Sequence, residues 1–416
     1  MYSRSGYCLA VVCAVSGGCL SAQQSRGFKF EGTSAYASVS NEGPEAAGTL
    51  FGAGGSATFG WSGGTSVRDF SILYTPSYYF SREGSYALGT SLSHSVVLTG
   101  TAKLRRKLFL EFSLNGQVIR SQENLFSDSL LGVTAQKAAT LDELVAKPSD
   151  AQLMQASTAS LAVGMRYLNT AAAFELSYRP TTRLSVEFRG GGTRVQSLEG
   201  ENTGLQFTTT GALAGAGFSY SLSPRTQVGG EVSSQQMWTG ADQTGATNVF
   251  GSLGRSLGPR WFAQLQAGVG FVRFTRPAYS PRPQFIGGAT IGFKGNAHTL
   301  MGGVMRSAAN PYGLRGAYST LNIAGAWNYQ KPGRRWTLFV SGGNQILTTS
   351  FVPSQNIWHA NAGWTRPVSR ETDISVAYAY GTMLTGIVHA PLDVARYTFS
   401  ARYGVQLTLR WHPRGY

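Results

Sequence analysis

Six short turns punctuate the second half of the chain at a nearly constant interval. They fall at residues 180–183, 222–225, 257–260, 294–297, 331–334 and 367–370. Measured at positions 224, 259, 295, 332 and 367, the spacings are 35, 36, 37 and 35. Side chains alternate between the turns. Phe174, Leu176 and Tyr178 alternate with Glu175, Ser177 and Arg179; after the turn Leu184, Val186 and Phe188 alternate with Ser185, Glu187 and Arg189. A period of two belongs to a strand with one apolar and one polar face. A tight turn between two such runs makes a β-hairpin, so each interval reads as two strands, a short turn and a longer connection. The longer connections fall at 198–204, 240–244, 276–284, 308–315, 349–354 and 385–394.

The first half carries the same grammar less regularly. Residues 27–38 read as a weak first strand, 50–61 and 67–75 as a pair around Ser62-Gly63-Gly64-Thr65, and 76–90 as a loop rich in Ser, Tyr and Gly. Residues 91–103 and 107–120 form a hairpin around Leu104, Arg105 and Arg106, and 397–411 form the last strand. Residues 121–157 interrupt the pattern. Thr140-Leu141-Asp142-Glu143 and Ser149-Asp150-Ala151-Gln152 match the capping box that starts a helix. Leu144 and Val145, then Leu153 and Met154, supply short apolar patches behind them, so the insertion reads as two short helices. The count is about 18 strands, with 16 as the alternative.

The medium that meets the apolar faces follows from composition. Only 13% of the residues are charged, against about 25% in a typical soluble domain. Outside the first 22 residues no segment holds the roughly 20 consecutive apolar residues of a spanning helix. A sheet exposed to lipid must close, because no water satisfies its edges. The expected fold is an all-β, closed antiparallel transmembrane β-barrel. The alternatives are a soluble sandwich, propeller or solenoid, which would not place aromatics in bands at strand ends. Trp261 and Trp336 follow turn arginines, Trp364 precedes a turn, and Tyr178 and Tyr220 lie close to turns, as one interfacial girdle requires. Trp238, Phe271, Trp358 and Tyr380 lie nearer the long connections and are read as the other girdle.

Residues 1–22 read as a secretory signal peptide, with Arg4 ahead of an apolar run at 8–15 and Leu20-Ser21-Ala22 as cleavage site. A lipoprotein signal ending at Cys19 is the rival. Residues 23–416 then form the barrel. Cys8, Cys13 and Cys19 all lie in the leader, so the exported chain has no thiol for a disulfide or a metal. Export turns the net charge of +15 away from nucleic acid and towards anionic lipid or anionic solutes.

The leader, the alternation of short turns with long loops and the turns of the Leu222-Ser223-Pro224-Arg225 type resemble the porin-like outer-membrane β-barrel families of Gram-negative-type bacteria. The segment Arg402-Tyr403-Gly404-Val405-Gln406-Leu407-Thr408-Leu409 is similar to the C-terminal pattern that the barrel-assembly machinery recognises. It departs in its aliphatic end positions and in a tail at 412–416. The resemblance implies an outer-membrane location, the assembly machinery as a partner, and short turns on the periplasmic side.

Candidate site residues follow from face and turn position. The polar face offers Glu111, Glu175, Glu187, Arg189, Glu231, Asn322, Asn328, His359, Asn361, Arg402 and Arg410 as pore-lining residues. Opposed charges across a pore would create a transverse field; as plain salt bridges they would stabilise the wall. The turns hold 15 cations, among them Arg105, Arg106, Arg183, Arg225, Arg260, Arg334, Arg335 and Arg370. This rim reads as a phosphate anchor for inner-leaflet lipid or as a funnel for anionic solutes. Ser93-His94-Ser95 is accompanied by no Gly-x-Ser-x-Gly and no acid pair, so no enzyme, cofactor or metal site is expected. The leading expectation is a channel for passive diffusion of small polar or anionic solutes. A polysaccharide-export pore with secretion partners and a non-conducting structural or adhesion barrel are the alternatives. The oligomeric state, monomer or homo-oligomer, is left open.

Overall fold

The computed structural model describes residues 27–42, 49–65, 67–83, 86–120, 166–198, 208–239, 242–274, 283–308, 317–349, 355–388 and 396–411. The leader at 1–22 and the insertion at 121–157 lie outside the described residues. In chain order the strands are β1 (Gly27–Glu42), β2 (Thr49–Gly64), β3 (Arg68–Glu83), β4 (Tyr86–Arg105), β5 (Leu108–Arg120) and β6 (Arg166–Tyr178). There follow β7 (Leu184–Ser197), β8 (Thr208–Ser223), β9 (Thr226–Thr239), β10 (Asp242–Ser256), β11 (Trp261–Phe274) and β12 (Gln284–Lys294). The last six are β13 (His298–Ser307), β14 (Ala317–Tyr329), β15 (Thr337–Thr349), β16 (Gln355–Pro367), β17 (Thr372–Val388) and β18 (Arg396–Trp411).

All 18 strands belong to one sheet, each antiparallel to its sequence neighbours, and β1 pairs with β18 to close it. The weak first strand is therefore the seal, running ten residues in register from Thr33 opposite Trp411 to Glu42 opposite Arg402. With an even strand number both ends of the described barrel reach the same rim: Gly27 lies opposite Ser62 beside the β2–β3 turn, and Trp411 lies opposite Thr372 beside the β16–β17 turn. The turns after β2, β4, β6, β8, β10, β12, β14 and β16 lie on that rim.

The alternation sorts chemistry into two faces. Phe174, Phe188, Phe218 and Leu265 lie on the outside and remain about half exposed, at 52%, 49%, 52% and 55%. Glu231, His359 and Asn361 lie on the inner face and are buried. A soluble protein inverts this order. Apolar exposure spread over the outer wall of a closed sheet is the surface expected to face lipid, and it makes the molecule an outer-membrane-type barrel.

Two local features explain how the wall packs. Phe112, Phe174, Phe218, Phe262 and Phe339 lie directly opposite Gly100, Gly190, Gly230, Gly292 and Gly363. Each ring lies across its glycine, where an added Cβ would fall 1.9–2.8 Å from ring atoms. The abundant glycine is thus partly a set of seats for cross-strand aromatics. In the turn after β14, Gly333 has φ 78° and Arg334 N–H donates to Lys331 C=O at 3.0 Å. Pro332 then Gly333 in this position is a type II turn.

Residues 76–90 depart from the sequence reading. They are no loop: β3 continues through Pro76 to Glu83, and β4 begins at Tyr86. The Ser, Tyr and Gly content argued for a loop, and Pro76 lacks the N–H of a ladder bond. The β2–β3 ladder keeps one register on both sides, with Phe59 opposite Tyr74 and Ser56 opposite Ser77, and only Thr75 and Pro76 between them are left outside it. Thr58 and Thr75 share a hydroxyl contact of 3.2 Å in that gap. The connections at 240–244 and 385–394 are shorter than read, since β10 starts at Asp242 and β17 runs to Val388.

Candidate functional site: the inner wall and its rims

The inner-face residues expected to line a pore gather most densely on β5 to β9. Glu111 lies opposite Glu175, and Glu175 opposite Arg189, so three adjacent strands place two carboxylates and a guanidinium in one row. Glu187 lies one inward position along β7, and Glu231 follows across Gly217 on β9. Arg189 is the hub. Its Nε donates to Glu175 Oε2 at 3.0 Å, its Nη2 to Glu187 Oε2 at 2.6 Å and its Nη1 to Glu231 Oε2 at 3.4 Å. The planar guanidinium supplies donors in a fixed fork, so one side chain spans carboxylates from three strands. Gly215 and Gly217 on β8 present no side chain between them, which opens the space the arginine crosses.

Burial grades across the cluster. Arg189 is 22% exposed, Glu187 26%, Glu175 36% and Glu231 7%. Glu231 sits deepest, beside Phe250 of β10. With Glu111 included, four carboxylates surround one guanidinium, so this part of the wall is three charges negative when all are ionised.

The opposite arc is polar and mostly neutral. Asn322 lies on β14 opposite Gln345, and Asn328 opposite Phe339. His359 and Asn361 lie on β16 opposite Gly343 and Ser341 and are buried in the wall. Neither ring nitrogen of His359 has a hydrogen-bond partner among the described residues. Arg410 lies at the short-turn rim opposite Asp373 and Ser34. Arg402 is a residue of β18 opposite Glu42 and Gly381, and its side chain lies outside the described residues. The structure thus joins Glu111, Glu175, Glu187, Arg189 and Glu231 into one constellation and leaves Asn322, His359, Asn361 and Arg410 dispersed.

The rim cations Arg105, Arg106, Arg183, Arg225, Arg260, Arg334, Arg335 and Arg370 are all exposed at the turns. Lys103 and Arg179 stand over the Phe109 ring at 5.9 and 5.4 Å, a pair of cation–π contacts at the mouth. Among the aromatics, Tyr178, Tyr220 and Trp261 point outward and are exposed. Trp261 packs on Phe293 at 4.8 Å and Trp336 on Tyr329 at 5.2 Å. Trp364 lies on the outer face of β16, beside Leu338 and Val376. His298 joins this band, accepting at Nδ1 from Trp327 Nε1–H at 3.2 Å.

Sequence reasoning missed outward-facing cations near the long-loop end: Arg194 on β7, Arg273 on β11 and Arg306 on β13 are exposed. They share the outer face with Phe188, Phe271 and Val304. Strand parity carries the signal, since each lies an even number of residues from those apolar neighbours. Among the described residues no group of three or more His, Cys, Asp or Glu is arranged to hold a metal.

No family model and no curated protein matches this chain. Solved structures of similar shape include outer-membrane protein OpdK of Pseudomonas aeruginosa, with 10% identity and a TM-score of 0.44 over 92% of this chain and 100% of that one. OpdO of the same organism gives 11% identity and a TM-score of 0.46 over 92% and 96%. A bacterial polysaccharide outer-membrane secretin gives 10% and 0.37 over 92% and 99%.

Proposed function

We propose that the protein is an outer-membrane channel for passive diffusion of small polar or anionic solutes, with no catalytic role. The observation that carries this reading is the inner face: a closed barrel built only for stability would not line its interior with Glu231, Arg189, His359 and Asn361. Burying a polar group without a full set of partners costs about 1–3 kcal/mol, and replacing a buried ion pair by apolar side chains is often stabilising by about 1–4 kcal/mol. A water-filled pore gives these groups a use. The exposed turn arginines concentrate anions at the periplasmic mouth; Glu111, Glu175, Glu187 and Glu231 act within the wall as a selectivity element.

In the same reading residues 1–22 direct export and are removed. Residues 121–157 form a helical insertion that narrows the pore. The strand ends support its side: Arg120 and Arg166, which bracket the insertion, lie opposite each other at the rim away from the short turns after β4 and β6. Deleting 124–155 is expected to raise conductance, and unchanged conductance argues against the narrowing.

Planar-bilayer recording of the refolded protein tests the channel. Discrete conductance from the protein alone is expected, with a reversal potential in a salt gradient showing anion preference. Clear cation preference would remove the funnel. A sealed bilayer would favour a structural or adhesion barrel, and conductance that needs periplasmic components would favour an export pore.

A further inference from the structure

We propose that the outer wall over β14–β17 is a seat for one anionic phospholipid of the inner leaflet. This rests on the barrel standing in a bilayer and is independent of conduction. Two rows of outward residues define the seat. Trp327, Val340, Ala362 and Tyr378 lie opposite one another in sequence across β14, β15, β16 and β17, and Tyr329, Leu338, Trp364 and Val376 form the row nearer the turns. The next row away from the turns is Gly325, Gly342 and Ala360, ending at Tyr380. Small residues thus bound the seat on its side away from the turns, with Ala362 at its centre between tryptophan, tyrosine and valine. An apolar crevice of about 370 Å³ opens there, lined by Trp327, Val340, Ala362, Trp364 and Tyr378 among others. Trp327, Ala362 and Trp364 within it are only half-buried, while Val340 and Tyr378 beside them are exposed.

Charge says what fills it. Arg366 lies two residues beyond Trp364 on the same outer face of β16 and is exposed. The flanking turns add Lys331, Arg334, Arg335 and Arg370, all exposed, against Glu371 in the same turn and Asp373 on the inner face. A phosphate held by Arg366 and the turn arginines would place its acyl chain in the crevice over Ala362. Tryptophans at its lower edge suit the headgroup level, and arginine is the side chain suited to phosphate. A second copy of this chain would bring its own basic rim against the first and add like-charge repulsion.

The test is native mass spectrometry of the refolded barrel, released from bilayers of phosphatidylethanolamine doped with phosphatidylglycerol. The wild type is expected to retain one phosphatidylglycerol. Ala362→Trp fills the crevice and leaves every cation in place; it is expected to weaken retention about tenfold, equivalent to 1.4 kcal/mol. Arg366→Gln combined with Arg334→Gln is expected to do the same, and Arg225→Gln on the far side to change nothing. Heat-modifiable migration on a gel confirms folding of each variant. Retention unaffected by Ala362→Trp would overturn the seat and leave a diffuse rim effect. Dimers or trimers abolished by Ala362→Trp would overturn it in favour of a subunit interface.

Discussion

Replacing Arg189 by methionine gives the sharpest test of the inner-wall cluster. Methionine keeps much of the length and removes the charge that Glu175, Glu187 and Glu231 share. An exposed ion pair contributes about 0.2–1 kcal/mol, whereas removing one partner of a buried pair costs about 3–5 kcal/mol. Arg189 at 22% exposure and Glu231 at 7% lie between these limits, nearer the buried one. The substitution should therefore destabilise the barrel by about 2–3 kcal/mol. Glu175 and Glu187 remain solvated enough to absorb part of the loss. Adding Glu231→Gln removes the carboxylate left worst placed and should restore about 1 kcal/mol or more, a coupling beyond the roughly 0.3–0.5 kcal/mol within which independent sites add. Urea unfolding of vesicle-inserted protein, followed by tryptophan fluorescence, measures all four corners of the cycle. Conductance supplies a second readout, since the single variant makes the wall more negative and should shift the reversal potential towards cations. An unchanged unfolding midpoint together with additive effects would refute the claim that Arg189 ties these strands together.

Three further outcomes are expected. Val249→Arg, on the outer face at the middle of β10, should impair folding into vesicles by about 2–4 kcal/mol, while Asn248→Arg on the inner face should insert nearly normally; equal folding yields would reverse the assignment of faces. Gly292→Val drives a side chain into the Phe262 ring and should cost about 1–3 kcal/mol of stability, with Phe262→Ala recovering part of it when the two are combined. Gly333→Ala, at φ 78°, should lower stability by about 1 kcal/mol, whereas Gly258→Ala, with open space around it, should be close to neutral in the same unfolding assay.

Much of this barrel was legible because its rules are local. A period of two fixes the face of Phe174 against Glu175 without any knowledge of partners, and short turns at regular intervals fix the end on which Arg183 and Arg225 appear. Closure was legible by elimination, since a lipid-facing sheet tolerates no edge. What escaped depended on pairing across strands. Residues 76–90 read as a loop on their Ser, Tyr and Gly content, and only the ladders to β2 and β4 show that the strands continue through them. The seats of Phe112, Phe262 and Phe339 on opposing glycines required the register as well.

The cluster around Arg189 shows the same boundary most clearly. Its members were recognisable one by one as inward-facing charges, but they are 14, 2 and 42 residues from the arginine in sequence. Their meeting depends on Gly215 and Gly217 leaving β8 bare between β7 and β9. This has a consequence for how the inner wall can evolve. A side chain larger than alanine at Gly217 would separate Glu187 from Glu231 and divide one network into two. The contact from Arg189 to Glu231, the longest of the three at 3.4 Å, would be the first lost. Glu231 is also the deepest carboxylate, so its release from Arg189 would concentrate the energetic cost where water relieves it least. Gly217 therefore controls the inner-wall charge pattern without carrying a functional group. Gly217→Leu should reproduce the loss of the Arg189–Glu231 coupling while all five charged side chains remain. If the double-mutant cycle gave the same coupling in that background, the arginine would reach Glu231 by a path that β8 does not govern.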